Sequence, residues 1–322
     1  MTKIILSKKQ KSAVNQFKEK LSKNIYTEEA NPCICQGHND IMIGEKDRYG
    51  MDLRTVLCKE CLLVRSDPYY SEETLSSFYD NEYRIIYTDS NLATKDFFDE
   101  EERIGERIVK YILETVEGIE IKGKIVYEIG CGAGGILNAF KNSGAEVLGC
   151  DYGEKYLEFG RKKGLNLVHG GIESFSKFKK ADIIILNHVL EHFKDPKTEL
   201  DKISKLLKDR GTLYIAVPGL LNHHNSYGSL RNYLQNAHVF NYNLETLEQI
   251  MFQSGYSMIK GDQYLRAVFK KEKKLKNPKR KKNWLPSYLY LKISYVVPFI
   301  YNSYSFVLKF IKRTNIWVKK IF

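Results

Sequence analysis

After Glu272 the sequence contains no acid, nowhere does it hold the roughly 20 consecutive apolar residues of a membrane-spanning helix, and no repeat recurs at a period of about 20 to 50 residues. The first absence decides how the net charge is read. Of 51 Lys+Arg, 15 lie in residues 270–322 beside a single acid, so residues 1–269 carry 36 basic against 38 acidic groups. The formal +12 therefore belongs to a tail on a near-neutral body. The second absence limits that tail to surface contact with a bilayer, because its longest uncharged stretch, between Lys292 and Lys309, has 16 residues and is broken by Pro298. Residues 1–11 have only Ile4, Ile5 and Leu6 as an apolar cluster, too short for a secretion signal. The body is expected in the cytoplasm, with its six cysteines reduced.

With 322 residues, 43% hydrophobic and 12% aromatic, the chain can build a full core, which excludes disorder and a disulfide-held miniprotein. Val14, Phe17 and Leu21 recur at helical spacing and predict a leading helix within residues 1–30. Residues 31–66 carry four clustered cysteines, Cys33, Cys35, Cys58 and Cys61, among short strand-like runs. Residues 67–100 form an aromatic connector or lid with Tyr79, Tyr83 and Tyr87. From residue 101 to 269, apolar runs at Ile125–Ile129, Val147–Cys150, Leu165–Val168, Ile183–Leu186 and Leu213–Val217 alternate with helical stretches. That alternation predicts an α/β domain with a parallel sheet covered on both faces.

The first of these strands runs into Gly130-Cys131-Gly132-Ala133-Gly134-Gly135. Glycines here let the chain turn tightly and bring bare backbone and helix N-terminal amides against a ligand. Asp151, 21 residues beyond Gly130, ends the second strand, where an acid accepts from ribose hydroxyls. Taken literally this fits a dinucleotide dehydrogenase. Glu128 argues otherwise: a carboxylate at the loop's mouth repels a pyrophosphate and suits an ammonium.

The run Glu128-Ile-Gly130-Cys131-Gly132-Ala-Gly134 resembles motif I of class I S-adenosylmethionine-dependent methyltransferases. The segment Asn187-His188-Val-Leu-Glu191-His192-Phe-Lys-Asp195-Pro196 is similar to the signature after that family's fourth strand. The resemblance implies a Rossmann-like sheet and S-adenosyl-L-methionine as cofactor. Glu128, Gly130, Cys131, Gly132 and Gly134 would surround its methionine end, Asp151 and Tyr152 its ribose, and Gly171, Ile172 and Asn187 the rest of the site. Gly171 stands where the family often has an acid, which leaves adenine contacts to backbone groups.

Four cysteines packed as C-x-C and C-x-x-C, 22 residues apart, repel as thiolates unless a soft cation holds them, and a closed four-cysteine Zn2+ site is the expected solution. His38 is an alternative ligand, and four reduced thiols in an apolar patch are the metal-free alternative. Asp47-Arg-Tyr-Gly, Val56 to Val64, Asp67-Pro68 and Tyr83-Arg84 resemble a bacterial methyltransferase subgroup with an N-terminal zinc-binding segment, associated with sugar, polysaccharide and secondary-metabolite biosynthesis. Members usually have Gly where this chain has Leu62, so a different turn is expected there.

Methyl transfer to a hydroxyl needs a base, and histidine suits neutral pH. His192, then His223 or His224, are the candidates, all following strand ends. Glu191 is the only acid between Asn187 and His192, so no catalytic magnesium is expected. The tail, with 11 aromatics over residues 284–322, suits the interface of an anionic membrane at its cytoplasmic face; the alternative is a helix packing on the protein. The leading reading is a methyltransferase of a small-molecule, sugar or glycan acceptor. An RNA methyltransferase and a non-catalytic cofactor-binding scaffold are the alternatives, and the near-neutral body disfavours nucleic acid.

Overall fold

A computed structural model describes residues 4–90, 92–272 and 284–296. In chain order its elements are α1 (Lys8–Ser22), β1 (Glu28–Glu29), β2 (Asp40–Lys46), β3 (Asp52–Cys58), β4 (Val64–Ser66), β5 (Tyr69–Tyr70), α2 (Glu72–Phe78), a π turn (Tyr79–Tyr83), α3 (Arg84–Thr88) and α4 (Lys95–Thr115). Then follow β6 (Ile125–Ile129), α5 (Gly135–Asn142), β7 (Glu146–Asp151), α6 (Glu154–Lys162), β8 (Leu167–His169), β9 (Ala181–Asn187), α7 (Pro196–Leu206) and β10 (Leu207–Ala216). The chain ends with α8 (His223–Tyr227), α9 (Leu230–Tyr233), β11 (Phe240–Asn241), α10 (Leu244–Gln253), β12 (Tyr256–Gly261), β13 (Arg266–Lys271) and α11 (Leu285–Val296). None of the described helices is long and apolar enough to cross a membrane.

The described residues divide into two compact units, one made of 4–78, 218–246 and 284–296, the other of 79–90, 92–217 and 247–272. Residues 218–246, expected within the methyltransferase domain of 101–269, and residues 284–296, expected in a separate basic aromatic tail of 270–322, both belong to the first unit. In the structure, β11 pairs antiparallel with β4, giving a sheet of order β11-β4-β3-β2. Burial explains the assignment: Leu220, Leu230, Tyr233 and Leu234 share a core with Ile43, Leu53, Leu57 and Val64 of the cysteine strands. Tyr290 and Leu291 of α11 complete that core, and the Tyr295 hydroxyl accepts from the Lys46 backbone N–H at 2.9 Å. The described part of the tail is thus a packed helix. The membrane expectation drew on the aromatics of 284–322, of which Trp284, Tyr288, Tyr290 and Tyr295 pack against this core; residues 273–283 and 297–322 lie outside the described residues. The leading helix α1 forms as expected, capped by Ser7 and Gln10 and burying Val14 and Phe17.

The second unit holds a seven-stranded sheet of order β12-β13-β10-β9-β6-β7-β8. The five strands of the apolar runs are parallel, as βαβ spacing requires. β13 runs antiparallel to both β10 and β12, which makes the sheet mixed instead of wholly parallel. Only four residues join β12 to β13, enough for a hairpin and far too few for a parallel crossover. Helix α4 buries Ile108 and Ile112 against Ile136, Leu137 and Phe140. Gly105 permits this close packing, since a Cβ there would lie 2.6 Å from the Ile136 carbonyl oxygen. Strand order reverses between β6 and β9, and in open α/β sheets the crevice outside the carboxyl ends at such a reversal is where ligands bind.

Candidate functional site

The expected cofactor residues gather at that reversal in the second unit. Glu128 sits at the end of β6, Asp151 at the end of β7 and Asn187 at the end of β9; Gly171 and Ile172 follow β8. The glycine loop crosses to the β9 loop so closely that a Cβ on Gly130, whose φ is +70°, would lie 2.6 Å from Val189 Cγ2. Both the backbone sign and the space therefore require glycine.

Glu128 is 2% exposed, and its Oε2 has no hydrogen-bond partner. Burial pushes its carboxyl well above the usual carboxylate range, aided by the charges of Glu101 and Asp151. The Leu137 backbone N–H reaches the carboxyl, but a buried oxygen left without a donor is costly, so Oε2 marks a place for a donor beyond those the described residues give it. Cys131 and Cys150 are buried beside it, and desolvation raises both thiols, Cys150 to about 12. They remain neutral packing groups.

Asp151 is held by three donors. Gly132 N–H reaches Oδ2 at 2.9 Å, Gly153 N–H reaches Oδ1 at 2.7 Å, and Arg84 Nη2 reaches Oδ1 at 3.0 Å. Tyr152 is exposed and lies over Gly171, where a Cβ would meet its hydroxyl at 2.5 Å.

His192 follows β9 on a 3-10 turn, with Nδ1 3.0 Å from the Tyr79 hydroxyl. The Tyr83 ring stands edge-on to it, and burial raises the Tyr83 phenol to about 12. His188 adopts φ +57° and places Nδ1 3.4 Å from Glu191 Oε1. Asp195 caps α7 through Thr198 N–H with Pro196 in the first turn. Arg84 and Glu101 are neighbours of this site that the sequence does not assign to it; both sit on helices preceding the glycine loop, Arg84 within the Tyr83-Arg84 segment of the subgroup resemblance and Glu101 in no motif.

His223 and His224 fall elsewhere, on α8 of the first unit. His223 is fully buried with Nδ1–H donating to the Leu220 carbonyl at 2.6 Å, and burial lowers its pKa to about 4. His224 Nδ1 is 2.8 Å from the Tyr290 hydroxyl. Packing within that unit accounts for both.

The four cysteine sulfurs also converge in the first unit, all within 4.8 Å of one another. Cys33 Sγ is 3.3 Å from Cys61 Sγ and 3.5 Å from Cys35 Sγ, which is 3.6 Å from Cys58 Sγ. A tetrahedral zinc with bonds of about 2.3 Å has sulfur edges of about 3.8 Å, so the donor set fits the ion. His38 is exposed and outside the cluster. Each cysteine pair ends in a left-handed residue, Gln36 at φ +61° and Leu62 at φ +67°. Leu62 takes a left-handed conformation that favours glycine, and its burial in the core with Leu57 and Val64 offsets the strain.

A central sheet with one reversed strand near its edge, a glycine loop after its first strand and acids closing the first two define a Rossmann-like methyltransferase fold of class I. The chain belongs to the methyltransferase-domain family, whose sequence model matches residues 100–260, half of the chain. It is 30% identical over 116 residues to a ubiquinone biosynthesis O-methyltransferase of Vibrio atlanticus, an overlap covering 34% of this chain and 48% of that protein. It is 31% identical over 122 residues to the protein of the same name from Photorhabdus laumondii, covering 35% and 50%. The chain spans about half the length of these curated relatives. Among solved structures, magnesium protoporphyrin IX methyltransferase from Synechocystis superposes with a TM-score of 0.45 at 15% identity, covering 63% of this chain and all of that one.

Proposed function

We propose that the protein is an S-adenosylmethionine-dependent methyltransferase acting on the hydroxyl of a small-molecule, sugar or glycan acceptor. The observation that carries the reading is the buried Glu128 carboxyl with its unpartnered Oε2 at the mouth of the glycine loop. A cofactor ammonium is the donor it lacks, and Asp151 beside it suits ribose hydroxyls. When bound, the cofactor supplies a methyl group activated on a sulfonium. The chain's part is to hold that group and orient the acceptor. Gly130, Cys131, Gly132 and Gly134 let the backbone approach; Tyr152, Gly171, Ile172 and Asn187 complete the cofactor side. His192, its ring set by Tyr79, is the base assigned to the acceptor proton, worth about 10²–10⁴ in rate.

The relatives' name, which specifies O-methyl transfer, supports a hydroxyl acceptor. The near-neutral body supports a small or carbohydrate acceptor over RNA. The cysteine cluster would hold zinc in a structural role, since four protein sulfurs leave no open position. The tail beyond Val296 is the part we assign to an anionic membrane surface, on the strength of its charge and aromatics. Flotation of the full chain, but not of a truncation after Val296, with vesicles containing anionic lipid is expected; equal behaviour sinks that assignment.

The function is tested by calorimetric binding of S-adenosylhomocysteine to wild type, E128Q and D151N, followed by methyl-labelled cofactor turnover on nucleoside-diphosphate sugars, phenols and total RNA. Tight binding lost in both variants and label on a hydroxyl compound are expected. Label in RNA alone would replace the acceptor class, and binding without any transfer would favour a scaffold.

A further inference from the structure

Arg84 opens α3 directly after the π turn Tyr79–Tyr83. Its guanidinium carbon lies over the Tyr156 ring, 4.2 Å from the centroid, and 5.9 Å from that of Tyr83. One nitrogen donates to Asp151 Oδ1 at 3.0 Å. The side chain is 23% exposed and that of Asp151 is 10% exposed, so the pair faces the solvent edge of the crevice without being open surface. A guanidinium has five N–H donors in a rigid fork. Asp151 is the hydrogen-bond acceptor that the described residues provide for it.

A carboxylate and a guanidinium held side by side present acceptors and donors together. A vicinal diol presents the complementary set: each hydroxyl donates one hydrogen and accepts through its lone pairs. Asp151 alone could take the two hydrogens of a ribose. It could not satisfy the oxygens, and its own position is fixed by Gly132 and Gly153 N–H groups. Stacking on Tyr156 fixes the fork in turn, so that little rotamer freedom is lost when it accepts a ligand.

We infer that Arg84 is a specificity-determining residue for the cofactor, donating to the ribose hydroxyl oxygens while Asp151 accepts their hydrogens, so that the pair reads the diol from both sides. The inference rests on the cofactor reading of the Asp151 site and adds to it a residue contributed by the connector. It also gives the connector a role in cofactor capture, because Arg84 is continuous with the Tyr79–Tyr83 turn that carries the partner of His192.

The test is calorimetric binding of S-adenosylhomocysteine and of its 2′-deoxy and 3′-deoxy analogues to full-length wild type, R84Q, R84K, D151N and the double variant R84Q/D151N. R84Q is expected to weaken S-adenosylhomocysteine by about ten- to a hundredfold, the loss of a charge-assisted bond, and to narrow the preference over at least one deoxy analogue. R84K, which keeps the charge without the fork, falls between. The double variant loses less than the sum of the single losses, because the two groups share one ligand contact. Unchanged affinity in R84Q overturns the inference, as does an equal loss for all three ligands, which would mark a merely structural residue. If D151N itself binds S-adenosylhomocysteine like wild type, the cofactor placement fails and takes the inference with it. If D151N loses binding while R84Q keeps full diol preference, only the inference falls.

Discussion

Without a metal ion the four-cysteine cluster should fail to hold the strands that carry it. Adjacent sulfurs lie 3.3 to 3.6 Å apart; for unit charges at about 3.5 Å and an effective dielectric of about 20, each thiolate pair repels by about 5 kcal/mol. Four thiolates make six pairs, three of them at these distances and the others within 4.8 Å, and the total lies well above the roughly 5–15 kcal/mol of net stability in a domain. The cluster can therefore keep four thiolates only around a dication, and otherwise most of it must be protonated. Zinc binding consequently releases protons. The expected result is one zinc per chain after expression with zinc present, lost in C58S/C61S. Chelation should expose residues 31–70 to protease and lower the melting temperature, while calorimetry in buffers of different ionisation enthalpy registers at least one proton released per zinc rebound. A protein with less than about a tenth of an equivalent of zinc, whose melting and proteolysis ignore both chelator and C58S/C61S, would refute the reasoning.

The raised Glu128 carboxyl makes an opposite pair of effects. Because its folded pKa lies above the unfolded value of about 4.3, its contribution to stability is full below that value and is lost as pH rises through the folded pKa. E128Q should melt above wild type at pH 8 without ligand yet bind S-adenosylhomocysteine more weakly; scanning fluorimetry and calorimetry check both, and lower stability of E128Q at pH 8 would count against it. For His223, with a folded pKa of about 4 against about 6.5 unfolded, stability is intact above 6.5 and falls as pH drops toward 4, by about 3 kcal/mol at about 1.4 per unit. H223Q should flatten the melting temperature over that window, and an unchanged slope would reject the assignment. Tyr290→Ala should destabilise the first unit by about 3 kcal/mol, as truncation of a buried aromatic does, read as a shift in denaturant midpoint; no shift would mean that α11 does not pack in solution.

Five parallel strands were legible because each is a compact β-branched run between helical periods, and the glycine loop because its spacing with Glu128 and Asp151 is fixed by one strand and one helix. The hairpin β12–β13 was not, since Tyr256–Gly261 places Met258 and Ile259 side by side between Ser257 and Lys260 and so lacks the period-2 alternation that marks a strand. Pairing of β11 with β4 joins Phe240 to Arg65 across most of the chain, and no local pattern announces such a contact. The same distance explains His223: following β10, it reads as a residue at the sheet's carboxyl edge, while the fold spends Leu220 and Tyr233 on the cysteine strands. Arg84 escaped for a different reason, being one basic residue in an aromatic stretch whose meaning depends on where Asp151 lies.

The first unit is completed by segments synthesised long after its cysteine strands. Strand β4 ends at Ser66, yet its partner β11 begins at Phe240 and the helix sealing the same core begins at Leu285. At roughly 5 to 20 residues per second, the growing chain carries an unpaired β4 edge for on the order of 10 to 35 seconds. The parallel-sheet unit has most of its strands synthesised in that interval. Early loading of a metal on Cys33, Cys35, Cys58 and Cys61, all translated before residue 62, would keep that exposed hairpin in register until its distant partners arrive.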